Sequence, residues 1–73
     1  MKQTATSDLK WGLEQQLPDE LKANSDYNKL ADIAERAGLT DIARGLRGIA
    51  AEEKRHYDTI AMWVRALAKA STS

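Results

Sequence analysis

One helical stripe in the C-terminal half constrains the fold of this chain more than any other feature. Eight residues follow one another at alternating spacings of four and three. They are Ile42, Leu46, Ile49, Glu53, His56, Ile60, Trp63 and Leu67. This spacing is typical of a helix edge that faces a partner helix. Six of the eight residues are apolar and only Glu53 and His56 are not, so the pattern predicts a carboxylate and an imidazole on a buried edge.

A second stripe, in the preceding segment, adds another carboxylate. It consists of Glu20, Ala23, Tyr27, Leu30, Ala34 and Ala37. A carboxylate removed from water without a partner costs several kcal/mol, and no basic residue occupies either stripe. A divalent cation would satisfy Glu20, Glu53 and His56 together, and such ligands suit iron, manganese or zinc. Two other interpretations stay open: a solvated face beside a core stripe displaced by one position, and a metal-free hydrogen bond between Glu53 and His56.

The chain has two clear helix breaks, Pro18 and Gly38. Ser7 is a suitable cap for a short first helix, and Pro18 is favoured as the first residue of the next one. Gly38 is a natural terminator and Thr40 a suitable cap for the third helix. The predicted helices span residues 7–17, 18–37 and 40–69. The fold class is therefore all-α, a short N-terminal helix followed by an antiparallel helical hairpin, in a single domain over residues 1–73.

Composition limits how this chain can be stabilised and what it binds. With 73 residues, 42% of them hydrophobic and 30% charged, it is typical of a globular protein near the lower size limit for a self-sufficient core. It has no cysteine, so oligomerisation and a metal held by carboxylates and imidazole are the remaining reinforcements. The interspersed charges argue against a nucleic-acid partner. No apolar run is long enough for a membrane span and no signal peptide is recognisable, so we expect a cytoplasmic protein.

The segment ELKANSDYNKLADIAERAGLTDIARGLRGIAAEEKRH resembles the first half of the rubrerythrin and ferritin-like di-iron domain. Glu20 and Tyr27 carry the family's seven-residue spacing between a ligand Glu and a Tyr. The family's second-helix pattern is matched by Ala43, Leu46, Ile49, Ala50, Glu53 and His56. The resemblance covers about residues 18–67, but the second hairpin of the full domain and its Cys-x-x-Cys segment are lacking.

The resemblance implies a metal centre shared between two chains. Ferritin-like sites take a Glu from each of two helices and a Glu-x-x-His from each of the other two, and one chain supplies half of that set. Two chains are therefore expected to pair about a twofold axis and complete a four-helix bundle. Glu20, Glu53 and His56 would bind iron, two ions per dimer, and Tyr27 would orient a ligand carboxylate. The chain is also similar to the encapsulated ferritins, which implies a homodimer or a larger even-numbered ring, with a nanocompartment shell as a further partner.

The implied activity is that of a ferroxidase, which oxidises Fe(II) to Fe(III) with O₂ for iron handling or storage. Glu20, Glu53, His56 and Tyr27 are the candidate catalytic residues. A rubrerythrin-like peroxidase is the alternative enzyme, and a helical assembly module with a structural metal such as zinc is the alternative from another class. A fragment or a designed half-domain is a further interpretation. Gly45 and Gly48, beside the stripe, are interpreted as points of close contact between neighbouring chains, and Trp63 as a packing residue.

Overall fold

The computed structural model describes residues 2–72, and their side chains from 5 to 70. Two helices, α1 (Lys2–Arg36) and α2 (Thr40–Thr72), pack against each other along an antiparallel hairpin. The predicted all-α hairpin is therefore confirmed, and the described residues form no strand. The hairpin is elongated, with principal extents of 55 × 14 × 13 Å. Its closure into a four-helix bundle by a second chain stays a prediction.

The turn between the helices follows from Gly38. Its φ of 78° lies in the left-handed region, which glycine adopts without steric penalty. The N–H of Gly38 donates to the carbonyl of Glu35 at 3.0 Å, and that of Leu39 donates to the carbonyl of Ala34 at 2.9 Å. These two bonds form a Schellman motif that satisfies the last carbonyls of α1. The predicted helix end at Gly38 is thus confirmed.

Pro18 does not separate two helices, and the prediction of helices 7–17 and 18–37 is wrong on this point. Pro18 lies inside the continuous helix α1 and is exposed to solvent. The side of α1 that packs on α2 runs past it with unbroken spacing of four and three. This stripe contains Leu13, Leu17, Glu20, Asn24, Tyr27, Ala31 and Ala34, all buried or half-buried. A proline inside a helix costs about 3 kcal/mol, and packing on both sides of Pro18 offsets that cost.

The edge of α2 that faces α1 differs from the predicted stripe at every second member, where the facing residue lies one position further along the chain. Ala43 and Ala50 are buried on it, and Tyr57 and Val64 are half-buried. The predicted stripe shares four half-buried members with this edge: Leu46, Glu53, Ile60 and Leu67. Its other members, Ile42, Ile49, His56 and Trp63, are exposed, and we call them the outer edge of α2. The apolar stripe of α2 is wider than one neighbouring helix can cover, so half of it remains in solvent.

Small residues bring the two helices together. Among the described side chains, those that are buried are Ala31, Ala34, Ala43 and Ala50. Gly45 and Gly48 do not contribute to this contact, because a Cβ at either position would meet no atom within 4 Å. Their contact with a neighbouring chain stays a prediction. Within the described part of the chain, neither helix has a stretch apolar enough to cross a membrane.

Candidate metal centre

Three polar side chains converge midway along the hairpin. Glu20 comes from α1, and Glu53 and His56 come from adjacent turns of α2. Each offers one potential ligand atom, and these atoms all lie within 4.8 Å of one another. Nδ1 of His56 is 3.5 Å from Oε2 of Glu20 and 3.9 Å from Oε2 of Glu53. The structure thus brings together the three residues that the sequence predicts as metal ligands.

The level of each residue along its helix explains why the three side chains meet. Glu20 lies sixteen residues before the end of α1, or about 24 Å at 1.5 Å per residue. Glu53 and His56 lie thirteen and sixteen residues after the start of α2, or about 20 and 24 Å. Glu20 and His56 therefore lie at the same level of the hairpin, and Glu53 lies about one turn closer to the interhelical turn.

The metal-free cluster is electrostatically incomplete. Oε2 of Glu20 is buried and accepts no hydrogen bond from the described residues. The pKa of Glu53 lies above its ordinary value, chiefly because the neighbouring Glu20 carboxyl group favours its protonated form and also because of partial burial and the Glu20 charge. His56 acts in the opposite direction on the pKa of Glu53. A divalent cation would supply the missing positive charge and a partner for the orphaned oxygen, so the donor set fits a metal ion.

A family comparison agrees with this geometry. The model of the rubrerythrin family matches residues 13–72. This chain belongs to the rubrerythrin family. That family is part of the ferritin-like di-iron superfamily and includes di-iron oxidoreductases that bind iron, which confirms the resemblance found in the sequence. Searches of curated proteins and of solved structures gave no significant match.

A cleft beside the cluster gives access to it. This cleft measures about 250 Å³ and is lined by Glu20, His56, Thr59, Ile60 and Trp63. The His56 side chain is 57% exposed, whereas those of Glu20 and Glu53 are only 20% and 22% exposed. The rubrerythrin-family cluster therefore has two sheltered carboxylates and an imidazole at its open side, next to space for a small molecule.

Tyr27 is the predicted site residue that a single hairpin does not bring to the cluster. It is half-buried and lies two helical turns from Glu20, about 10.5 Å along α1. In the described part of the chain, its hydroxyl makes no hydrogen bond with Glu20, Glu53 or His56. Its role in orienting a ligand carboxylate stays a prediction.

Asn24 is the residue near the cluster that sequence reasoning missed. Its side-chain amide Nδ2 donates a hydrogen bond of 2.7 Å to the backbone carbonyl of Ala50 on α2. A signal for it exists in the sequence, because Asn24 lies between Glu20 and Tyr27 in the stripe with spacing four and three that crosses Pro18. The stripe predicted from the sequence has Ala23 in its place, one position earlier.

Proposed function

We propose that two copies of this chain pair face to face and hold a two-iron centre that oxidises Fe(II) to Fe(III) with O₂. The observation that carries this proposal is the convergence of Glu20, Glu53 and His56 in a chain of the rubrerythrin family. The complete ferritin-like set contains two more helices with the same ligands. A second copy would supply them.

The outer edge of α2 supports the pairing. Ile42, Ile49 and Trp63 are 55%, 41% and 51% exposed, and they lie on the same side of α2 as His56, at intervals of seven residues. Contiguous exposed apolar residues of this kind mark contact surfaces. The ligand with the greatest exposure therefore belongs to the surface that a partner would cover.

The shape of the single hairpin supports it as well. The radius of gyration is 16.6 Å, whereas a compact domain of this length has about 11 Å. An isolated pair of helices with an alanine core leaves most of its larger apolar side chains in water. Pairing with a second copy would bury them and give the small chain the core that it lacks.

The position of the cluster favours a twofold arrangement. Glu20 and His56 each lie near the middle of a helix. A twofold axis that crosses the hairpin at this level would place the two clusters next to each other while the full lengths of both hairpins overlap. A cluster near the turn would permit only a short overlap.

Each residue has a distinct role in this proposal. Glu20 and Glu53 would bind iron through carboxylate oxygens, and His56 through a ring nitrogen. Tyr27 would orient a carboxylate of the partner chain. Two Fe(II) ions supply two electrons, which together with two protons reduce O₂ to hydrogen peroxide.

The test is an anaerobic Fe(II) titration followed by exposure to O₂, with the oligomer mass measured before and after. We expect about one iron per chain, rapid oxidation, and an even number of chains. Glu53→Ala and His56→Ala should abolish binding. Glu52→Ala is the matched control, because Glu52 is the neighbouring carboxylate, exposed and paired with Arg55 at 3.7 Å. Equal iron binding by the Glu53→Ala and Glu52→Ala variants would contradict the proposal.

Three further measurements separate the alternatives. Oxidation of the ferrous protein faster by peroxide than by O₂ would identify a rubrerythrin-like peroxidase. Tight zinc binding without redox turnover would identify a structural metal in an assembly module. A nanocompartment shell as a partner is proposed from the similarity to encapsulated ferritins alone, and co-expression with a shell protein followed by isolation of intact compartments would test it.

A further inference from the structure

The hydrogen bond from Asn24 to Ala50 lies directly beside the metal cluster. Asn24 follows Glu20 by four residues and Ala50 precedes Glu53 by three, so the bond is one helical turn from both carboxylates. It joins a half-buried side chain of α1 to the backbone of α2 at 2.7 Å. The small side chain of Ala50, which is 1% exposed, permits this approach.

The alanine contact around this bond determines the axial register only weakly. Ala31, Ala34, Ala43 and Ala50 fill the interface near the turn, and methyl groups interlock less than large side chains. A slide of one turn would shift α1 by about 5.4 Å, which exceeds the 4.8 Å that spans the ligand atoms. The ion pairs of Arg47 with Asp32 and Glu35 also join the helices, but they lie at the exposed surface nearer the turn. Beside the cluster, the contact that distinguishes one register from the next is the Asn24 bond. A single asparagine at a helix interface is known to have that effect in coiled coils.

We propose that Asn24 is a positioning residue for the metal centre: its hydrogen bond to Ala50 sets the register that brings Glu20 to Glu53 and His56. This inference rests on the proposed function. The bond requires an N–H donor because its acceptor is a carbonyl oxygen, which has a second lone pair beyond the one used inside α2. Asp at position 24 would place a carboxylate oxygen against that carbonyl, and Leu would preserve the volume without a donor.

The variants Asn24→Asp and Asn24→Leu test this assignment, with Asn28→Leu as the matched control. Asn28 lies one turn further along α1 and is exposed. The metal probe is Co(II), whose visible absorption reports the number and kind of its ligands. We expect both Asn24 variants to bind Co(II) at least tenfold more weakly, with altered spectra, and the Asn28→Leu variant to bind it as the unchanged protein does.

Stability separates positioning from a merely structural role. The Asn24→Leu variant leaves no unsatisfied group, because the Ala50 carbonyl keeps the bond that it accepts inside α2. It should therefore melt within a few degrees of the unchanged protein and yet lose Co(II) affinity. Loss of affinity only in proportion to loss of stability would overturn the assignment. Co(II) affinity within twofold of the unchanged protein in both Asn24 variants would also overturn it.

A metal-free measurement distinguishes failure of this inference from failure of the proposed function. Nitroxide labels at the exposed positions Lys22 and Glu52, in labelled chains diluted with unlabelled ones, report the spacing between α1 and α2. The Asn24→Leu variant should show a broadened or shifted distance distribution, and an unchanged one would overturn the inference. If the unchanged protein binds no Co(II), the proposed metal centre is wrong, while the label spacing still decides whether Asn24 sets the register.

Discussion

The half of the hairpin near the turn is packed differently from the half that holds the two ends of the chain. Near the turn, buried alanines bring the helices together, and polar contacts join them. Arg47 of α2 pairs with Asp32 at 3.2 Å and with Glu35 at 2.7 Å on α1, and Asn24 bonds to Ala50. This half has small residues in its interface and specific contacts at its surface.

The open half has larger side chains and a looser fit. Its facing residues are only half-buried: Leu13, Leu17, Ile60, Val64 and Leu67. A groove of about 390 Å³ runs between Leu9, Leu13, Trp63, Ala66 and Leu67. The cluster of Glu20, Glu53 and His56 lies at the border between the halves. The difference shows that, within one hairpin, the open half buries its facing side chains less completely than the turn half does.

The largest change in the free energy of unfolding is expected from Pro18→Ala, at a position of α1 in the open half. Pro18 is exposed inside α1, and alanine restores the missing N–H and removes the ring clash. We expect a gain of up to about 3 kcal/mol in the free energy of unfolding, measured by urea unfolding at fixed protein concentration. Ser25→Ala, also exposed in α1, is the control and should change stability by about 0.5 kcal/mol. Equal gains in both variants would show that Pro18 imposes no strain on α1.

The alanine interface predicts the second largest effect, a loss of about 1–3 kcal/mol on Ala31→Leu. Ala31 is fully buried at 0% exposure, so the added carbons would force the helices apart. The control is Ala66→Leu in the open half, where the groove has room for a larger side chain and stability should remain the same or rise. Thermal unfolding of both variants checks the expectation. Similar losses at the two positions would mean that the halves are packed alike.

Much of this fold could be predicted from local signals. Gly38 marks the turn because few other residues adopt its positive φ, and the periodicity of α2 marks a long amphipathic helix. The break at Pro18 was predicted wrongly because the local preference of proline competes with packing along the whole length of α2. That packing depends on residues about 40 positions away, such as Tyr57 and Val64, which line one cleft with Leu17.

The candidate site could be predicted in part. Glu53 and His56 interrupt an apolar stripe, which made them visible, and the family spacing indicated Glu20. The sequence did not indicate which residues of the stripe face α1 and which face outward, since both edges of α2 are apolar. Asn24 was missed because its function depends on the axial register between two helices, which periodicity within one helix does not report.

Gly48, on the surface of α2, tests whether the turn half of the hairpin contacts a second chain. Gly48→Ala should stabilise the helix by about 1 kcal/mol in an unpaired hairpin, because the added Cβ would meet no atom within 4 Å. Gly12→Ala in the open half, with equally open surroundings, is the matched control. If Gly48 lies against a partner chain, its variant should instead weaken pairing, measured as the dissociation constant by analytical ultracentrifugation. A gain in helix stability with unchanged pairing would exclude Gly48 from the contact between chains.

The smallest predicted effect is the pH dependence of the stability of the metal-free protein. It arises from Glu53, at the border between the halves. The neighbouring Glu20 carboxyl group raises the pKa of Glu53 in the folded state. A carboxyl group with a raised pKa binds its proton more tightly when folded, so this contribution to stability is present at low pH. It is lost as the pH rises from the unfolded pKa of about 4.3 through the higher folded pKa.

Melting temperatures measured with a chelator present should therefore fall as the pH rises through that window, and Glu53→Gln should remove this component of the slope. Glu52→Gln should leave it intact. The affinity for Co(II) should show the opposite trend, since carboxylate ligands must lose their protons to bind a metal. A metal-free melting temperature with the same pH slope in the Glu53→Gln variant would mean that Glu53 does not share a proton with Glu20, and that the two carboxylates are already separated in the absence of metal.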